Sequence, residues 1–436
     1  MKRHNVNKAN VIRAVMSLTM ASTIFISSNF GASVAHAEPK IVDYPYKHDF
    51  GKMSDFTEMA ENGQKLSGKT VIISTNDVHG ALHRYPYVAS LKKFFQNDLG
   101  AEVLLVDSGD FSQDKKPEGN EGAESTFCME DSKGYAGVEA MNAVGYDLAT
   151  LGNHEFEYFV DLKNNIKKAN FKVINSNLVI PDVSKKLEAI ATSEDMDESQ
   201  KNEAIMNTFN SLTDKDYFLE DQNYIYTSKS GIKIGFFGLL TREAPLNNYK
   251  SAYKKLKDNL AIACAKHQIQ SLKKEGADIV ICLSHLGLEN TVSGNRSIDL
   301  YKGVTAEKDS NDPSKPLYPL DLVLDGHSHN AMSSGEYNEP LISGGMTLSH
   351  IGITIIGKND NNEAQIEKSV VVELDDVKNT IGYDEDNAKA IIQIINTHNS
   401  SFLQKTNEKA ITETLKKLDL QNETPKKSDS KRRKIA

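Results

Sequence analysis

Five apolar runs of this sequence each end in residues that can bind a metal ion. Each run predicts a buried strand, and carboxylate, imidazole and amide groups at strand ends are the donors that a metal-assisted hydrolytic site requires. The central string is Gly152, Asn153, His154 and Glu155, which follows the apolar run 147–151. The seven candidate metal ligands are Asp77, His79, Asp110, Asn153, His285, His327 and His329.

The spacing of these residues fits a centre with two divalent cations, about 3.5 to 4 Å apart and bridged by one carboxylate. Asp77 and His79 lie two residues apart, so both reach one ion if the chain leaves the extended conformation, and His327 and His329 repeat this spacing. Asp110 stands alone after its strand and suits the bridge, since Gly109 permits close approach. Mixed His, Asp and Asn donors favour Zn²⁺, Mn²⁺ or Mg²⁺.

Each fragment is weak evidence by itself. An Asp-x-His string after a strand and a Gly-Asp turn are common, and a lone His285 is more often a core histidine than a ligand. Five such fragments in order, all at predicted strand ends, favour one shared site over coincidence.

The sequence alternates between buried strands, loops and amphipathic helices, which is typical of a layered α/β domain. Apolar residues at helical spacing predict helices over 87–99, 134–144 and 251–274. The polar stretch 181–223 predicts a solvated helical insertion on the rim of the domain.

The first 37 residues have the pattern of a signal peptide. Four basic residues precede the apolar stretch 14–26, and Ala35, His36 and Ala37 form a small-x-small cleavage site. The apolar stretch is shorter than the roughly 20 residues that span a bilayer, and no later segment is long and apolar enough to do so. The predicted location is therefore secreted, periplasmic or associated with the cell envelope.

The formal charge of the chain is −9, and removal of residues 1–37 would make it about −13. Such an acidic surface does not attract nucleic-acid polymers, so a local metal centre is the favoured way to hold an anionic substrate. The pattern from 384 to 420 is helical and charged, and a run of Lys and Arg follows from 426 to 434. That run predicts a solvated tail, with electrostatic contact to an anionic cell envelope as the alternative.

The strings TNDVHG, VDSGDF, LGNHEFE, SHLG and DGHSH resemble the bacterial secreted 5′-nucleotidases of the calcineurin-like metallophosphoesterase superfamily. The resemblance covers roughly residues 69–374. It implies a four-layer α/β/β/α sandwich with two divalent metal ions. Carried over by motif, it implies one ion on Asp77, His79, Asp110 and His329, and the other on Asp110, Asn153, His285 and His327.

The resemblance also implies that His154 stabilises charge on the phosphoryl group or protonates the leaving oxygen. Two positions after the central string depart from the family pattern GNHEFDYG. Glu157 replaces the Asp that orients the catalytic His, and Phe159 replaces a Gly. The longer carboxylate side chain of Glu157 predicts a looser or shifted pairing with His154.

Family members generally carry a C-terminal domain that stacks the nucleobase between aromatic side chains. The sequence therefore predicts a signal peptide over 1–37, a catalytic domain over 38–380, and a helical segment with a basic tail over 381–436 as the truncated start of that domain. The expected activity is hydrolysis of nucleotide phosphomonoesters. The alternatives are a 2′,3′-cyclic-nucleotide phosphodiesterase, a UDP-sugar hydrolase, or a catalytically weak metal-binding envelope protein.

Overall fold

The structure, a computed structural model, describes residues 46–112, 129–288 and 296–398. The predicted signal peptide and the basic tail lie outside these described residues. Among the helices that the structure describes, none is both long and apolar enough to cross a membrane.

Sixteen strands are present in the described parts of the chain. They are β1 (Tyr46–Lys47), β2 (Thr70–Thr75), β3 (Glu102–Asp107), β4 (Leu148–Thr150), β5 (Lys172–Ile174), β6 (Leu178–Val179), β7 (Asn223–Thr227), β8 (Lys233–Leu240), β9 (Lys254–Lys255), β10 (Ile279–His285), β11 (Leu322–Asp325), β12 (Ala331–Met332), β13 (Ser334–Gly335), β14 (Leu341–Gly344), β15 (His350–Lys358) and β16 (Ala364–Glu373).

Ten α-helices lie in the same described ranges. They are α1 (Met53–Glu61), α2 (Tyr85–Lys93), α3 (Tyr135–Val144), α4 (Leu162–Lys167), α5 (Pro181–Ala191), α6 (Glu198–Asn210), α7 (Asn259–Lys274), α8 (Ser297–Thr305), α9 (Leu374–Thr380) and α10 (Glu385–His398).

Two six-stranded sheets form the centre of the fold. The first sheet has the order β16-β15-β2-β3-β4-β5, and its strands β2 to β5 are parallel. The second sheet has the order β12-β14-β11-β10-β8-β7, with β14, β11, β10 and β8 parallel. Antiparallel strands close both edges of the second sheet, since β12 pairs with β14 and β7 with β8.

The two sheets pack face to face, and helices cover their outer faces. In β2, Ile72 points into the core between the sheets, where Phe236 and Ile281 of the second sheet also lie. Its neighbours Val71 and Ile73 belong to the core beneath the helices, as the two-residue period of a strand requires. On the other side, α7 and α8 pack on the second sheet. The predicted four-layer α/β/β/α sandwich is confirmed.

The sheet order brings the carboxyl ends of the parallel strands to one edge of the sandwich. Strands β2, β3 and β4 pair in parallel register in the first sheet, and β8, β10 and β11 do so in the second. The loops that follow β2, β3, β4 and β11, and the last residue of β10, carry all seven candidate ligands. The topology therefore supplies the convergence that the sequence could only suggest.

The prediction of one helix over 251–274 is wrong in its first part. Lys254–Lys255 forms a short strand paired with Leu178–Val179, and the helix begins at Asn259 after Asp258, whose φ is 56°. Strand pairing with a distant segment outweighs the local helical pattern there. The helix predicted over 87–99 is present but shifted. Helix α2 covers Tyr85–Lys93, and a π-helical turn follows over Phe94–Asp98.

The predicted helical insertion is confirmed by α5 and α6. Their apolar faces do not merely rest on the rim, because Leu187 of α5 and Phe209 of α6 share a buried cluster with Leu260 and Cys264 of α7. The insertion is thus anchored on the helix layer that covers the second sheet.

Helix α10 falls in the segment that the sequence assigned to the start of a further domain. Its residues Ile391, Ile394 and Ile395 are buried in the core beneath the first sheet. The spacing of these residues places them on one face of the helix. The part of that segment up to residue 398 therefore completes the helix layer of the sandwich.

This packing predicts a stability cost for truncating α10 side chains. Ile391→Ala should lower the free energy of unfolding by about 2 to 5 kcal/mol, because it leaves a cavity in the core. Gln393→Ala on the exposed face of the same helix should change it by less than about 0.5 kcal/mol. Urea denaturation measures both values. Equal stability of the two variants would show that α10 does not pack on this core.

Candidate metal centre

The loops that carry the candidate ligands leave their strands through left-handed backbone turns. The φ angles are 49° at Asp77, 47° at His79 and 60° at Asp110. In the loop after β11 they are 79° at His327 and 58° at His329. In the Asp-x-His string this turn brings ligand atoms of Asp77 and His79 into one group, whereas His327 and His329 of the His-x-His string reach two different groups.

Three side chains meet at the end of β2. The Nε2 atoms of His79 and His329 are 2.9 Å apart. Asp77 Oδ1 lies 3.6 Å from His79 Nε2 and 3.5 Å from His329 Nε2. These three atoms, from loops of both sheets, point to one position, which fits a single cation.

A second group lies beside the first, around Asp110. Its Oδ2 atom is 3.0 Å from His285 Nε2, and Asn153 Oδ1 is 3.3 Å from the same nitrogen. Ligand atoms of Asp110, His285 and His327 all lie within 4.8 Å of one another. The amide and the carboxylate come from the first sheet, whereas the two imidazoles come from the second.

Asp110 connects the two groups. Its carboxylate is also within 4.8 Å of ligand atoms of His79 and His154, and His285 Nε2 is 4.0 Å from Asp77 Oδ1. Two carboxylates, those of Asp77 and Asp110, are thus almost completely buried in one small site. Burying like charges together is unfavourable unless cations compensate them, so the donor set fits two divalent ions.

The imidazole rings are oriented by hydrogen bonds on the side away from the site. His285 Nδ1 lies 2.7 Å from the carbonyl oxygen of Ser108, so this nitrogen donates and Nε2 is left to face the site. His327 Nε2 lies 3.0 Å from Glu243 Oε2, which leaves Nδ1 of that ring for a metal.

The electrostatics of the site keep its carboxylates ionised. Burial by itself would raise the pKa of Asp110, but His285 and His154 beside it hold that pKa well below its usual range. Burial would lower the pKa of His285, whereas Asp110 and Asp77 raise it to about 10. Burial lowers the pKa of His329 to about 4. The carboxylates of Asp77 and Asp110 thus favour positive charge between the ligand groups, and a bound cation supplies that charge.

The predicted catalytic residue His154 lies at the rim of the centre. Its Nε2 atom is 4.0 Å from Asp110 Oδ2, and its side chain is 23% exposed, so a substrate can reach the ring. Glu157 Oε1 is 3.7 Å from His154 Nδ1, which is longer than a hydrogen bond. The carboxylate is therefore near enough to influence the ring electrostatically without fixing it tightly.

Glu155 has a role that the sequence did not reveal. Its fully buried carboxylate accepts three backbone N–H groups, from Asp110 at 2.8 Å, Ser112 at 2.9 Å and Gly152 at 2.7 Å. Burial and the charge of Asp110 raise the pKa of Glu155 to about 7. Glu155 thereby ties the loop after β3 to the turn after β4, and its place in the central string was its only signal in the sequence.

The same two loops approach each other through glycines. A Cβ atom at Gly109 would lie 2.5 Å from the backbone nitrogen of Gly152, and one at Gly152 would lie 2.1 Å from Asp110 Oδ1. Both distances are shorter than any van der Waals contact. Only glycine fits at either position, as the sequence predicted for Gly109.

Asn76 joins the first sheet to the second beside the centre. Its side-chain amide donates to Asp77 Oδ2 at 2.6 Å and to the carbonyl of Gly345 at 2.7 Å. Its Oδ1 atom accepts the backbone N–H of Gly344 at 2.8 Å. Asn76 therefore orients a candidate ligand and fixes the loop after β14, and nothing in the sequence distinguished it from an ordinary turn residue.

Replacement of Glu155 tests the importance of its three hydrogen bonds. Glu155→Gln should lower the free energy of unfolding by about 1 to 3 kcal/mol, because an amide NH₂ would face a backbone N–H group. Metal affinity should fall about 10- to 100-fold, as for other groups that support metal ligands. Urea denaturation and calorimetric titration with Mn²⁺ measure the two effects.

Glu61→Gln is the matched control, since Glu61 is exposed at the end of α1. It should leave both quantities unchanged. A Glu155→Gln variant that keeps wild-type metal affinity would contradict the assignment of Glu155 as a positioning residue.

Comparison with known proteins places this site in a family context. The chain is 25% identical over 281 residues to the trifunctional nucleotide phosphoesterase protein YfkN of Bacillus subtilis, which is 61% of this chain and 17% of that protein. It is 25% identical over 324 residues to a 2′,3′-cyclic-nucleotide 2′-phosphodiesterase/3′-nucleotidase of Haemophilus influenzae, covering 68% of this chain and 42% of the relative. A 5′-nucleotidase of Vibrio parahaemolyticus is 25% identical over 272 residues, 60% of this chain and 40% of the relative.

Solved structures show the same fold. The calcineurin-like phosphoesterase YfkN from Bacillus subtilis has a TM-score of 0.53 at 19% identity, covering 77% of this chain and 99% of that one. A putative 5′-nucleotidase from Staphylococcus aureus has a TM-score of 0.52 at 17% identity, covering 75% and 58%. The chain spans less than half the length of each of the three relatives described above. Residues 70–331, more than half of the chain, match the calcineurin-like phosphoesterase family, and the chain belongs to that family.

Proposed function

We propose that this chain is a secreted phosphoesterase that uses two metal ions to hydrolyse nucleotide phosphomonoesters to nucleoside and phosphate. The observation that carries the proposal is the pair of ligand groups joined by the buried carboxylate of Asp110. Family membership and the names of the relatives, which include a 5′-nucleotidase, support the substrate class.

The residues that would hold the two ions follow from their positions. Asp77, His79 and His329 would hold one ion, whereas Asn153, His285 and His327 would hold the other, with Asp110 shared between them. The donor set is compatible with Zn²⁺, Mn²⁺ or Mg²⁺. When bound, such ions polarise phosphoryl oxygens and lower the pKa of water.

The chain itself positions the reacting groups. His154 is partly exposed at the rim of the centre and carries a ring that can donate a hydrogen bond to a phosphoryl oxygen or a proton to the leaving oxygen. Its backbone N–H donates to Asp110 Oδ1 at 2.8 Å, so the histidine and the shared carboxylate are held together. Glu157 acts as a positioning residue, since its carboxylate lies 3.7 Å from Nδ1 of that ring.

A second candidate reaction is hydrolysis of 2′,3′-cyclic nucleotides. The observation that favours it is the likeness to the Haemophilus influenzae enzyme, which covers 68% of this chain. UDP-sugar hydrolysis and a weakly catalytic metal-binding role at the cell envelope are the remaining alternatives. Comparison of the hydrolysis rates of AMP, 2′,3′-cyclic AMP and UDP-glucose separates the three reactions. Absence of hydrolysis of all three substrates would favour the binding role.

Export and envelope contact remain predictions. They depend on residues 1–37 and on the basic run 426–434, both outside the described residues. Detection of the protein in the culture medium, the periplasm or the wall fraction decides the location.

Metal-dependent phosphate release is the main test of the proposed activity. The purified protein should release phosphate from nucleotides with Mn²⁺ or Zn²⁺ present, lose the activity in EDTA, and regain it when metal is restored. Asn153→Ala should lower kcat/KM by at least about 100-fold, because it removes a ligand and mispositions the centre.

The matched control is Asn361→Ala, at an exposed turn between β15 and β16. It should behave as wild type. The proposal would be abandoned if metal-loaded protein released no phosphate from any nucleotide or aryl phosphate.

His154 and Glu157 can be tested separately from metal binding. His154→Ala should lower kcat by about 10² to 10⁴, the usual contribution of a proton donor, while two ions per chain remain bound. Glu157→Gln should have a smaller effect, because its carboxylate lies 3.7 Å from the ring. Steady-state kinetics and elemental analysis measure both. Loss of metal in His154→Ala would instead assign this residue to the ligand set.

A further inference from the structure

The loop between β14 and β15 is strained at two residues beside the metal centre. Thr347 has a φ of 51° and Leu348 a φ of 58°, both in the left-handed region. This region is especially unfavourable for a β-branched residue such as threonine. Strained residues persist only where the surrounding structure holds them, and they concentrate at functional sites. The contacts of Thr347 therefore indicate what its conformation serves.

Thr347 is bonded to both ends of the segment that carries two candidate ligands. Its backbone N–H donates to the carbonyl of Asp77 at 2.7 Å. Arg84 Nη1 donates to the carbonyl of Thr347 at 2.7 Å and lies 3.2 Å from Thr347 Oγ1. Asp77 lies at the start of the loop after β2, and Arg84 is the last residue of the 3₁₀ turn that follows this loop. Thr347 thus closes residues 77–84, which include His79, into a ring.

The residues on either side of Thr347 are held by contacts that do not involve Arg84. Asn76 donates to the carbonyl of Gly345 and accepts the backbone N–H of Gly344. The side chain of Leu348 is buried in the core beneath the helices of the first sheet. Arg84 adds the contact to Thr347 itself, so its removal should loosen that residue while the rest of the loop keeps its place.

The charge of Arg84 does not account for its position. A guanidinium repels a divalent cation, so by charge alone an arginine in this segment would weaken cation binding. Its N–H groups, however, are fixed in a planar fork and can direct a donor at one carbonyl oxygen. The geometry of the strained loop therefore explains the position of Arg84 better than its charge does.

We propose that Arg84 is a positioning residue for one of the two ions, the ion on Asp77, His79 and His329, and that it acts through Thr347. By holding the carbonyl of Thr347, the guanidinium keeps the N–H of that residue aimed at Asp77. The ligands of the other ion, apart from the shared carboxylate, belong to loops that this contact does not touch. The proposal rests on the two-ion centre of the proposed function and assigns a support for one half of it.

Metal titration separates this role from an electrostatic or a general structural one. Calorimetric titration of the metal-free wild-type protein with Mn²⁺ should show two bound ions. Arg84→Met should weaken binding of one ion about 10- to 100-fold, as loss of other groups that support metal ligands does, and change the other less than about threefold. Arg84→Lys, which keeps the charge without the planar fork, should weaken the same ion.

Variants of the ligands identify the affected ion. Asn153→Ala removes a ligand of the other ion, and Arg84→Met added to it should weaken the remaining ion about 10- to 100-fold. His79→Ala removes a ligand of the ion that Arg84 supports, and Arg84→Met added to it should leave the affinity for the remaining ion unchanged.

Hydrogen exchange gives a second readout that needs no metal. In the metal-free protein, the amide of Thr347 should exchange at least about tenfold faster in Arg84→Met than in wild type, because local opening of the loop becomes easier. The amide of Gly344, which is bonded to Asn76, should keep its wild-type exchange rate.

Lys185→Met, with an exposed lysine on α5, is the control for the lost charge and should match wild type in both measurements. Tighter ion binding in Arg84→Met would show that its charge dominates, and equal weakening of both ions would show a general structural role. Either result, unchanged binding, or fewer than two ions in wild type would overturn the proposal. Selective weakening of one ion in a protein that hydrolyses no nucleotide would instead contradict the proposed function alone, so the two failures are distinguishable.

Discussion

The carboxylate of Glu155 is the contact on which the rest of the centre depends. It accepts backbone N–H groups of Asp110 and Gly152, which belong to loops after different strands. Gly109 and Gly152 leave no Cβ atom between those loops, so close backbone contact fixes the distance between the two loops. Because Asp110 is the proposed shared carboxylate and Asn153 follows Gly152, one buried side chain positions candidate ligands for both proposed ions. Loss of a buried acceptor for several N–H groups is costly, which keeps this arrangement rigid.

The second sheet positions its candidate ligands by a different means. His285 is the last residue of a buried strand, whereas His327 and His329 occupy left-handed positions in a short loop. A left-handed conformation costs a residue other than glycine about 1 to 2 kcal/mol. Five of the seven candidate ligands adopt this conformation, so the backbone of the centre is strained. The hydrogen bonds between Glu243 and His327 and between Asn76 and Asp77 help to maintain this backbone conformation. Such strain is common where side chains must converge on one point.

Much of the site could be predicted because its information is local. Runs of β-branched residues identified β2 and β10, and donor-type residues directly after them identified the candidate ligands. The partners of Glu155 could not be predicted, since Ser112 lies 43 residues away and offers only its backbone. The helical pattern over 251–258 was misleading, because Lys254–Lys255 pairs with β6. The pattern around Ile391 predicted a helix but not the core on which that helix packs.

The central claim is that Asp110 joins two metal ions. Anomalous diffraction from crystals of the protein grown with Mn²⁺ tests it most directly. We expect two peaks at the edge of the sandwich, one beside Asp77, His79 and His329 and one beside Asn153, His285 and His327, with the carboxylate of Asp110 in contact with both. A single peak, or peaks that Asp110 does not touch, would contradict the claim.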